Sequence, residues 1–445
     1  MRAMEQLAER WVERARAAGA EEAEVMVHES THLVCQVRQG ATEMLTEATS
    51  RSLQLRVFLD QRVARASSSD LRESTLESLV RGAVGRARLA SPDDCAGLPQ
   101  EFPAPPPPES LGLFDPEAAA LAAEEGLRLA RETERIGLSL DARVGNSGGA
   151  GCHRGRGQVW LANSRGFAGS YRATSLSLSL YLLGADGSSH EQVSDYWYSA
   201  TRTRAGLESP ETIARTTVER VQRHFGARKV ATQEAPVVFE PLAAAELLSD
   251  LFGAVTGEAV HLRRSFLAGA LGELVAAEGV TIVDDGLMPG GLGTRPFDRE
   301  GVAAQRTPVF ENGVLRNYLC GTYSARRLGR KSTGNGTGNG EAPSNFFLAA
   351  GPYAPEAILG SVARGLYVTR LLGQGVNLVT GDYSRGAFGL WIEDGRFAYP
   401  VHEITISGNL RAMLAGMEMV GSDLEFRDQF AAPTVKIAVM TVAGT

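Results

Sequence analysis

Ser175-Leu176-Ser177-Leu178-Ser179-Leu180 alternates small polar and large apolar residues without interruption. Side chains along a strand point to opposite faces with a period of two, so this stretch sends every leucine one way and every serine the other. It reads as a half-buried strand, and the segments around it read the same way. Val25–Val27, Leu33–Val37, Leu53–Leu59 and Val63–Ala66 are short, apolar and rich in β-branched residues, and are separated by turn-forming Arg38-Gln39-Gly40 and Asp60-Gln61. They predict an antiparallel sheet. Further on, Asn312-Gly313 separates Thr307–Phe310 from Val314–Leu319, and Asp394-Gly395 separates Leu390–Glu393 from Arg396–Tyr399. Both dipeptides accept the positive φ that tight hairpins need. Antiparallel hairpins with intervening helices argue an α+β fold rather than a doubly wound parallel sheet.

The helices announce themselves by spacing and punctuation. Met4, Leu7, Ala8, Trp11, Ala15 and Ala18 recur at helical intervals and stop at Gly19, giving an amphipathic first helix. Asp70 and Glu73 suggest a capping box for a helix carrying Leu76, Leu79, Val80, Ala83, Val84 and Ala87, with Pro92 beyond its end. Asp115-Pro116 and Ser209-Pro210 open two more helices in cap-then-proline order, the second closed by Gly226. Pro103 and Pro105 to Pro108 form a stiff stretch that cannot join a sheet, so residues 103–109 cross the surface as a connector. A ligand for a proline-binding module is the competing use of such a stretch. After Gln233 the texture changes to strands and helices broken by glycine turns. Two domains are expected: residues 1–232, mixed α/β with an antiparallel sheet, and residues 233–445, β-rich with flanking helices.

A chain of 445 residues is too long for one compact core. With 43% hydrophobic and 22% charged residues it has the composition of an ordinary globular protein, and its 50 glycines imply many tight turns. The net charge of −7 and the absence of a Lys/Arg-rich run give no basis for direct nucleic-acid binding. No segment reaches the roughly 18 consecutive apolar residues of a membrane span. Met1 to Arg16 alternates charged with apolar residues rather than forming a secretory signal. Cys35, Cys95, Cys152 and Cys320 are scattered without a CxxC pair, as free thiols in a reducing cytoplasm would be. A cytoplasmic location follows as the expectation.

His28-Glu29-Ser30-Thr31-His32 spells HExxH, which on a helix would set two imidazoles one turn apart around zinc. The flanking segments are strand-like, and on a strand the two rings would lie roughly 13 Å apart, too far to share an ion. Polar strand or turn residues are therefore expected. Ser332 to Gly340 (Ser-Thr-Gly-Asn-Gly-Thr-Gly-Asn-Gly) invites a phosphate-cradle reading, but it carries neither GxxxxGK[ST] nor GxGxxG. A mobile surface loop that could flank a cleft is expected instead. Cys152-His153 cannot act as a dyad, because neighbours on a strand face opposite ways. The other histidines, His190, His224, His261 and His402, are dispersed, no GxSxG elbow is present, and no metal-ligand cluster stands out.

Three stretches resemble the TldD/PmbA family: Ser91 to Leu98 (SPDDCAGL), Arg264 to Gly269 (RSFLAG) leading to Val283-Asp284-Asp285-Gly286, and Gly381 to Ala387 (GDYSRGA) through Trp391-Ile392-Glu393 to Gly408-Asn409-Leu410. The last of these and the segment from Pro433 to Gly444 resemble the TldE (PmbA) branch, once described as a modulator of DNA gyrase. In this family the TldD subunit carries HExxxH on a helix before the VDDG strand, plus a cysteine ligand near its C-terminus. The matching helix here reads Leu247-Leu248-Ser249-Asp250-Leu251-Phe252-Gly253-Ala254. Leu247, Leu248, Leu251, Phe252, Val255 and Ala259 form an apolar stripe, so the helix persists. Ser249 and Ala254 stand where the histidines would be and Asp250 where the glutamate would be, with Gly253 between, and no cysteine follows Cys320. Alanine offers zinc no donor and a neutral serine hydroxyl is a poor one.

The resemblance implies a noncatalytic subunit that binds no cofactor itself. Its partner would be a TldD-type metallopeptidase subunit holding zinc, and together they would enclose a cleft acting on unfolded or ribosomally made peptides. Alone, the chain would form a self-dimer. Asp382, Tyr383, Ser384 and Arg385 are the candidate cleft residues, since they cluster polar groups beside a glycine turn. Two other function classes compete: an independent hydrolase diverged to a peptide or small-molecule amide, and a regulatory binding protein of the gyrase-modulator kind.

Overall fold

The computed structural model describes residues 2–185 and 192–444, so His190 lies outside the described residues. Six strands build the first sheet: β1 (Glu22–Arg38), β2 (Ala41–Leu59), β3 (Arg62–Ser68), β4 (Asn146–Asn163), β5 (Ala168–Gly184) and β6 (Val193–Thr201). They run antiparallel in the order β3-β2-β1-β4-β5-β6. Leu176, Leu178, Leu180 and Leu182 of β5 are buried to a residual exposure of 1% or less, as the alternation requires. Val25–Val27 and Leu33–Val37, read separately in the sequence, are one continuous strand. The His28–His32 stretch runs through its middle, extended and paired on both sides.

Helices α1 (Arg2–Ala17), α2 (Glu73–Leu89), α3 (Pro116–Ala119), α4 (Ala123–Leu140) and α5 (Pro210–Gln222) accompany this sheet. One core joins α1 and α2 to Ala23, Val25 and Val27 of β1. A second joins α4 and α5 to Leu33, Cys35 and Val37 of the same strand. These β1 residues are all odd-numbered, so the helices share one face of the sheet. The other face is apolar at Met26 and Leu161 and carries small and polar groups further along: the imidazole of His32 lies over Gly155, that of His28 over Gly157 and that of His153 over Gly151. Cys152 sits in the helix-side core opposite Cys35 while His153 points the other way. All four cysteines are free thiols.

The capping box at Asp70 does not form. α2 begins at Glu73 with Arg72 as its cap residue and no side-chain cap bond. The Asp70 carboxylate instead closes a turn onto the Arg72 amide and grips the Arg72 guanidinium, because the helix starts too late for a box spanning three residues. Ser209 does cap α5, accepting from the Thr212 amide at 3.1 Å.

Beyond Gln233 come β7 (Gln233–Phe239), α6 (Pro241–Val255), α7 (Gly257–His261), β8 (Ile282–Asp285), β9 (Arg306–Glu311), β10 (Val314–Leu315), α8 (Thr322–Arg327), β11 (Asn345–Leu348), α9 (Pro355–Gly360), β12 (Arg364–Leu372), β13 (Asp382–Glu393), β14 (Arg396–Asn409), α10 (Leu410–Ala415), β15 (Met417–Val420), β16 (Phe430–Ala431) and β17 (Val435–Ala443). Strands β14-β13-β12-β7-β17 close into a barrel through pairing of β14 with β17, and β15 adds to the outside edge of β17. A smaller sheet runs β10-β9-β8-β11-β16. Both hairpin dipeptides take left-handed backbone, with φ of 49° at Asn312, 79° at Gly313, 49° at Asp394 and 71° at Gly395. Trp391, Ile404, Ile406, Val237 and Phe239 are buried in the barrel interior. The fold is α+β with an antiparallel N-terminal sheet and a β-rich C-terminal part. No helix among the described residues is long and apolar enough to cross a membrane.

The glycine-rich run Ser332–Gly340 is not a loose surface loop. Gly334, Asn335, Gly336 and Gly338 are buried. The Asn335 side chain donates to Asp284 at 2.7 Å, the Gly336 amide donates to Asp298 at 2.8 Å, and the Gly338 carbonyl accepts from Arg65 Nε at 2.9 Å. Polar anchors replace the apolar surface that its composition lacks, which is why composition alone misjudged it. The run does flank cavities where the first sheet meets the C-terminal part.

A buried ion network crosses the same junction. Arg56 on β2 donates to both Glu24 oxygens at 2.8 and 2.9 Å and to Glu300 at 3.0 Å, with all three side chains at most 11% exposed. Burial alone would raise both glutamates and Arg56 opposes it: Glu24 stays above its usual range while Glu300 falls below.

Candidate functional site

Pro241 opens α6 at its first position, where a missing amide costs nothing. The preceding Glu240 makes no cap bond; its buried carboxylate takes Arg220 Nη1 at 2.7 Å. Leu247, Leu248, Leu251 and Val255 bury the inner stripe of α6, and Phe252 meets the rings of Phe346 and Phe430 edge-on at 5.5 and 6.0 Å. The stripe ends there. Thr256 is extended and its hydroxyl accepts from the Ala259 amide to cap α7, so Ala259 belongs to a separate helix.

The outer face of α6 looks into a cavity of about 380 Å³ that Ser249 lines together with Tyr196, Trp197 and Tyr198 of β6. Ala254 does not look there. It is fully buried, and its carbonyl accepts the Ser265 hydroxyl at 2.6 Å. On a regular α-helix, positions five apart are turned by about 140° from one another, so Ser249 and Ala254 diverge. Gly253 is wedged against the loop between β12 and β13: a Cβ there would stand 2.7 Å from Leu378 Cδ1.

Asp250 is already taken. Its carboxylate accepts from Arg385 Nη1 at 3.0 Å, and Glu246 one turn earlier accepts from Arg385 Nη2 at 3.1 Å. Burial pushes both carboxyls above their usual ranges, with Arg385 pulling them back. The guanidinium, 10% exposed, is clamped between two acids. Zinc does not fit this arrangement. Asp250 is spent on an ion pair, Ser249 offers a neutral hydroxyl and Ala254 offers nothing, so no hydrolytic step is assigned to a metal on α6.

Alternation along β13 divides the four candidate cleft residues. Tyr383 and Arg385 share the inward face toward α6, where Tyr383 is 1% exposed and burial raises its phenol. Asp382 and Ser384 lie on the exposed face, where Asp382 accepts from the Thr380 hydroxyl at 2.6 Å. Of the four, Arg385 alone joins the motif helix by a hydrogen bond among the described residues.

The cavity wall opposite α6 comes from the edge strand β6. Trp197 lies between the guanidinium groups of Arg220 at 5.3 Å and Arg427 at 4.2 Å, and Tyr196 stacks with Tyr198 at 6.2 Å. Arg370 and Arg427 donate to the Ser194 and Tyr198 carbonyls, covering part of an edge that would otherwise be open. Behind it, Asp195, Arg220 and His224 form a buried charge cluster, with Arg220 Nε 3.2 Å and His224 Nε2 3.4 Å from Asp195. Sequence reasoning missed this wall, because no spacing rule links β6 to a helix some fifty residues further on. It also missed Asp93-Asp94-Cys95, three adjacent residues of two ligand types whose donor atoms lie within 4.8 Å of one another. Asp93 is engaged there by the Tyr323 hydroxyl at 2.8 Å and Arg327 at 2.7 Å.

Comparison with known proteins covers nearly the whole chain. Residues 23–87 match PmbA/TldA metallopeptidase domain 1, residues 116–225 the central domain and residues 232–444 the C-terminal domain. The chain is 35% identical to Metalloprotease PmbA of Escherichia coli O157:H7 over 95% of this chain and 92% of that one. It is likewise 35% identical to the Metalloprotease PmbA homolog of Haemophilus influenzae, over 97% and 94%. Among solved structures, a Bacteroides thetaiotaomicron protein provisionally called a modulator of DNA gyrase superimposes with a TM-score of 0.91 at 26% identity, covering 99% and 98% of the two chains. TldE from Thermococcus kodakarensis shares the fold with a TM-score of 0.86 at 23% identity over 98% and 100%.

Proposed function

The chain belongs to the PmbA/TldD metallopeptidase family, and from that premise we propose that it is a noncatalytic TldE/PmbA-type subunit working with a TldD-type partner in the cytoplasm. The partner brings the zinc, and the substrate is an unfolded or ribosomally made peptide. The single observation that carries this reading is the Asp250–Arg385–Glu246 clamp: a fixed internal cation sits against the helix whose family counterpart binds a metal ion. The helix keeps its packing while its outward chemistry is neutralised, which suits a wall rather than a catalyst. This chain's own residues would then bound the chamber, with the Tyr196-Trp197-Tyr198 wall of β6 facing the substrate side of α6.

A mixing experiment tests the proposal. The purified chain alone should hold no stoichiometric zinc and cleave no unstructured peptide, and a TldD-type subunit should gain chelator-sensitive activity when the chain is added. Peptide cleavage by the isolated chain, unchanged by the partner, would refute it and establish the independent-hydrolase alternative.

A further inference from the structure

Where the open face of the first sheet meets the C-terminal loops, two cavities of about 450 and 360 Å³ lie side by side and share Met26, Gln54, Arg299 and Thr337. The guanidinium of Arg299 lines both. Among the described residues no carboxylate comes within 4.0 Å of it or of Arg65, which also lines the larger cavity. Arg65 donates both Nε, at 2.9 Å, and Nη2 to the Gly338 carbonyl, which leaves Nη1 for a ligand.

The nearby acids cannot serve these two arginines. Glu24 and Glu300 are both committed to Arg56. Asp298 accepts three backbone amides, from Glu300, Val302 and Gly336. His28 faces the same space and is disfavoured as a cation by its burial, then by Arg299 and His32. Arg299 thus stands in the cleft without a carboxylate in contact, and Arg65 feels Glu300 and Glu24 only beyond contact distance; a guanidinium left without a contacting acid beside a cavity raises the local concentration of anions. The rest of the wall decides which anion. Met26, Val159 and Phe297 give the smaller cavity an apolar side that inorganic phosphate would not use, while Gln54 and Thr337 supply polar groups at peptide reach.

We propose that this cleft binds a carboxylate carried on an apolar residue, of the kind presented by the C-terminus of a short peptide, with Arg299 and Arg65 holding the carboxylate and Met26 and Phe297 the side chain. Two guanidinium groups can grip one carboxylate by charge-assisted hydrogen bonds, whereas a terminal amide would meet donors with a donor. The site lies apart from α6, and its test reads binding to the chain alone, so it can succeed or fail independently of the subunit reading.

Calorimetry with the full chain would compare N-acetyl-alanyl-phenylalanine, the same dipeptide as its C-terminal amide, and inorganic phosphate. The acid is expected to bind about tenfold or more tightly than the amide, with phosphate weaker than the acid. Arg299→Gln should cost the acid about tenfold in affinity without changing the melting temperature, Arg299→Lys should lose less, and Arg65→Gln should weaken binding as well. Because a bound carboxylate would offset the charge of Arg299, the His28 ring protons followed by NMR should titrate at higher pH with the acid present. Equal affinities for acid and amide, or an Arg299→Gln chain that binds the acid as the wild type does, would overturn the proposal. Arg299-dependent binding of phosphate stronger than that of the acid would overturn it too, since the site would then serve a different anion.

Discussion

Two arginine-centred regions of this molecule use the same side chain to opposite ends. At α6, Arg385 is clamped by Asp250 and Glu246 and the local charge is closed off. At the junction with the first sheet, Arg56 is saturated by Glu24 and Glu300, yet Arg65 and Arg299 beside it face open space without a carboxylate partner. Identical chemistry yields a structural tie in one place and available charge in the other, and what separates them is the supply of nearby acids. A site is thus recognised by what its neighbours leave unpaired rather than by residue type.

The largest effect should come from breaking the saturated network. Arg56→Ala leaves the nearly buried Glu24 and Glu300 without their cation, and chemical denaturation should show a loss of about 3–5 kcal/mol. A loss below about 1 kcal/mol would mean that water already reaches these glutamates.

Next is the motif helix. Ala254→His forces an imidazole into a fully buried position without a partner, and should cost about 2–4 kcal/mol. The combined Ser249→His, Asp250→Glu, Ala254→His chain should still take up no stoichiometric zinc by elemental analysis, since no cysteine follows Cys320 to complete the ligand set and Arg385 still holds the acid at position 250. Tight one-to-one zinc would show that α6 can hold the metal without that cysteine.

Opening the clamp should matter less, because Glu246 and Asp250 are partly solvated. Arg385→Ala is expected to destabilise by about 1–2 kcal/mol and, if the clamp is structural only, to leave the isolated chain without peptidase activity.

The smallest effect is a change of slope. Burial and then the neighbouring Glu300 raise Asp298 to about 7. A carboxyl with a raised folded value contributes stability that is complete below its unfolded value, about 4, and is lost as pH rises through about 7. The stability advantage of wild type over Asp298→Asn should therefore shrink between pH 5 and pH 8. A constant difference across that range would place the titration elsewhere.

Much of the fold was legible in advance, and the reasons are local. The Ser/Leu alternation of β5, the Asn312-Gly313 and Asp394-Gly395 turns and the Ser209 cap each depend on a few adjacent residues, so nothing distant could override them. The Asp70 box failed because a helix start can slide by two residues when a competing turn is available. The glycine-rich run failed for another reason: its anchors Arg65, Asp284 and Asp298 lie far away in the chain.

The candidate site divides along the same line. From the sequence alone came the helix at Leu247–Ala254, located by the family resemblance and supported by its apolar stripe, the absence of histidine from it, and the extended state of His28–His32, which its strand-like flanks set within a dozen residues. Only the tertiary structure decided that Arg385 rather than Asp382 or Ser384 meets that helix, that Ser249 and Ala254 face different ways, and that β6 supplies the opposite wall. Which charges neutralise one another depends on distances of a few ångströms between segments far apart in sequence, and a Coulomb interaction between chain-distant groups leaves no periodic trace along the chain.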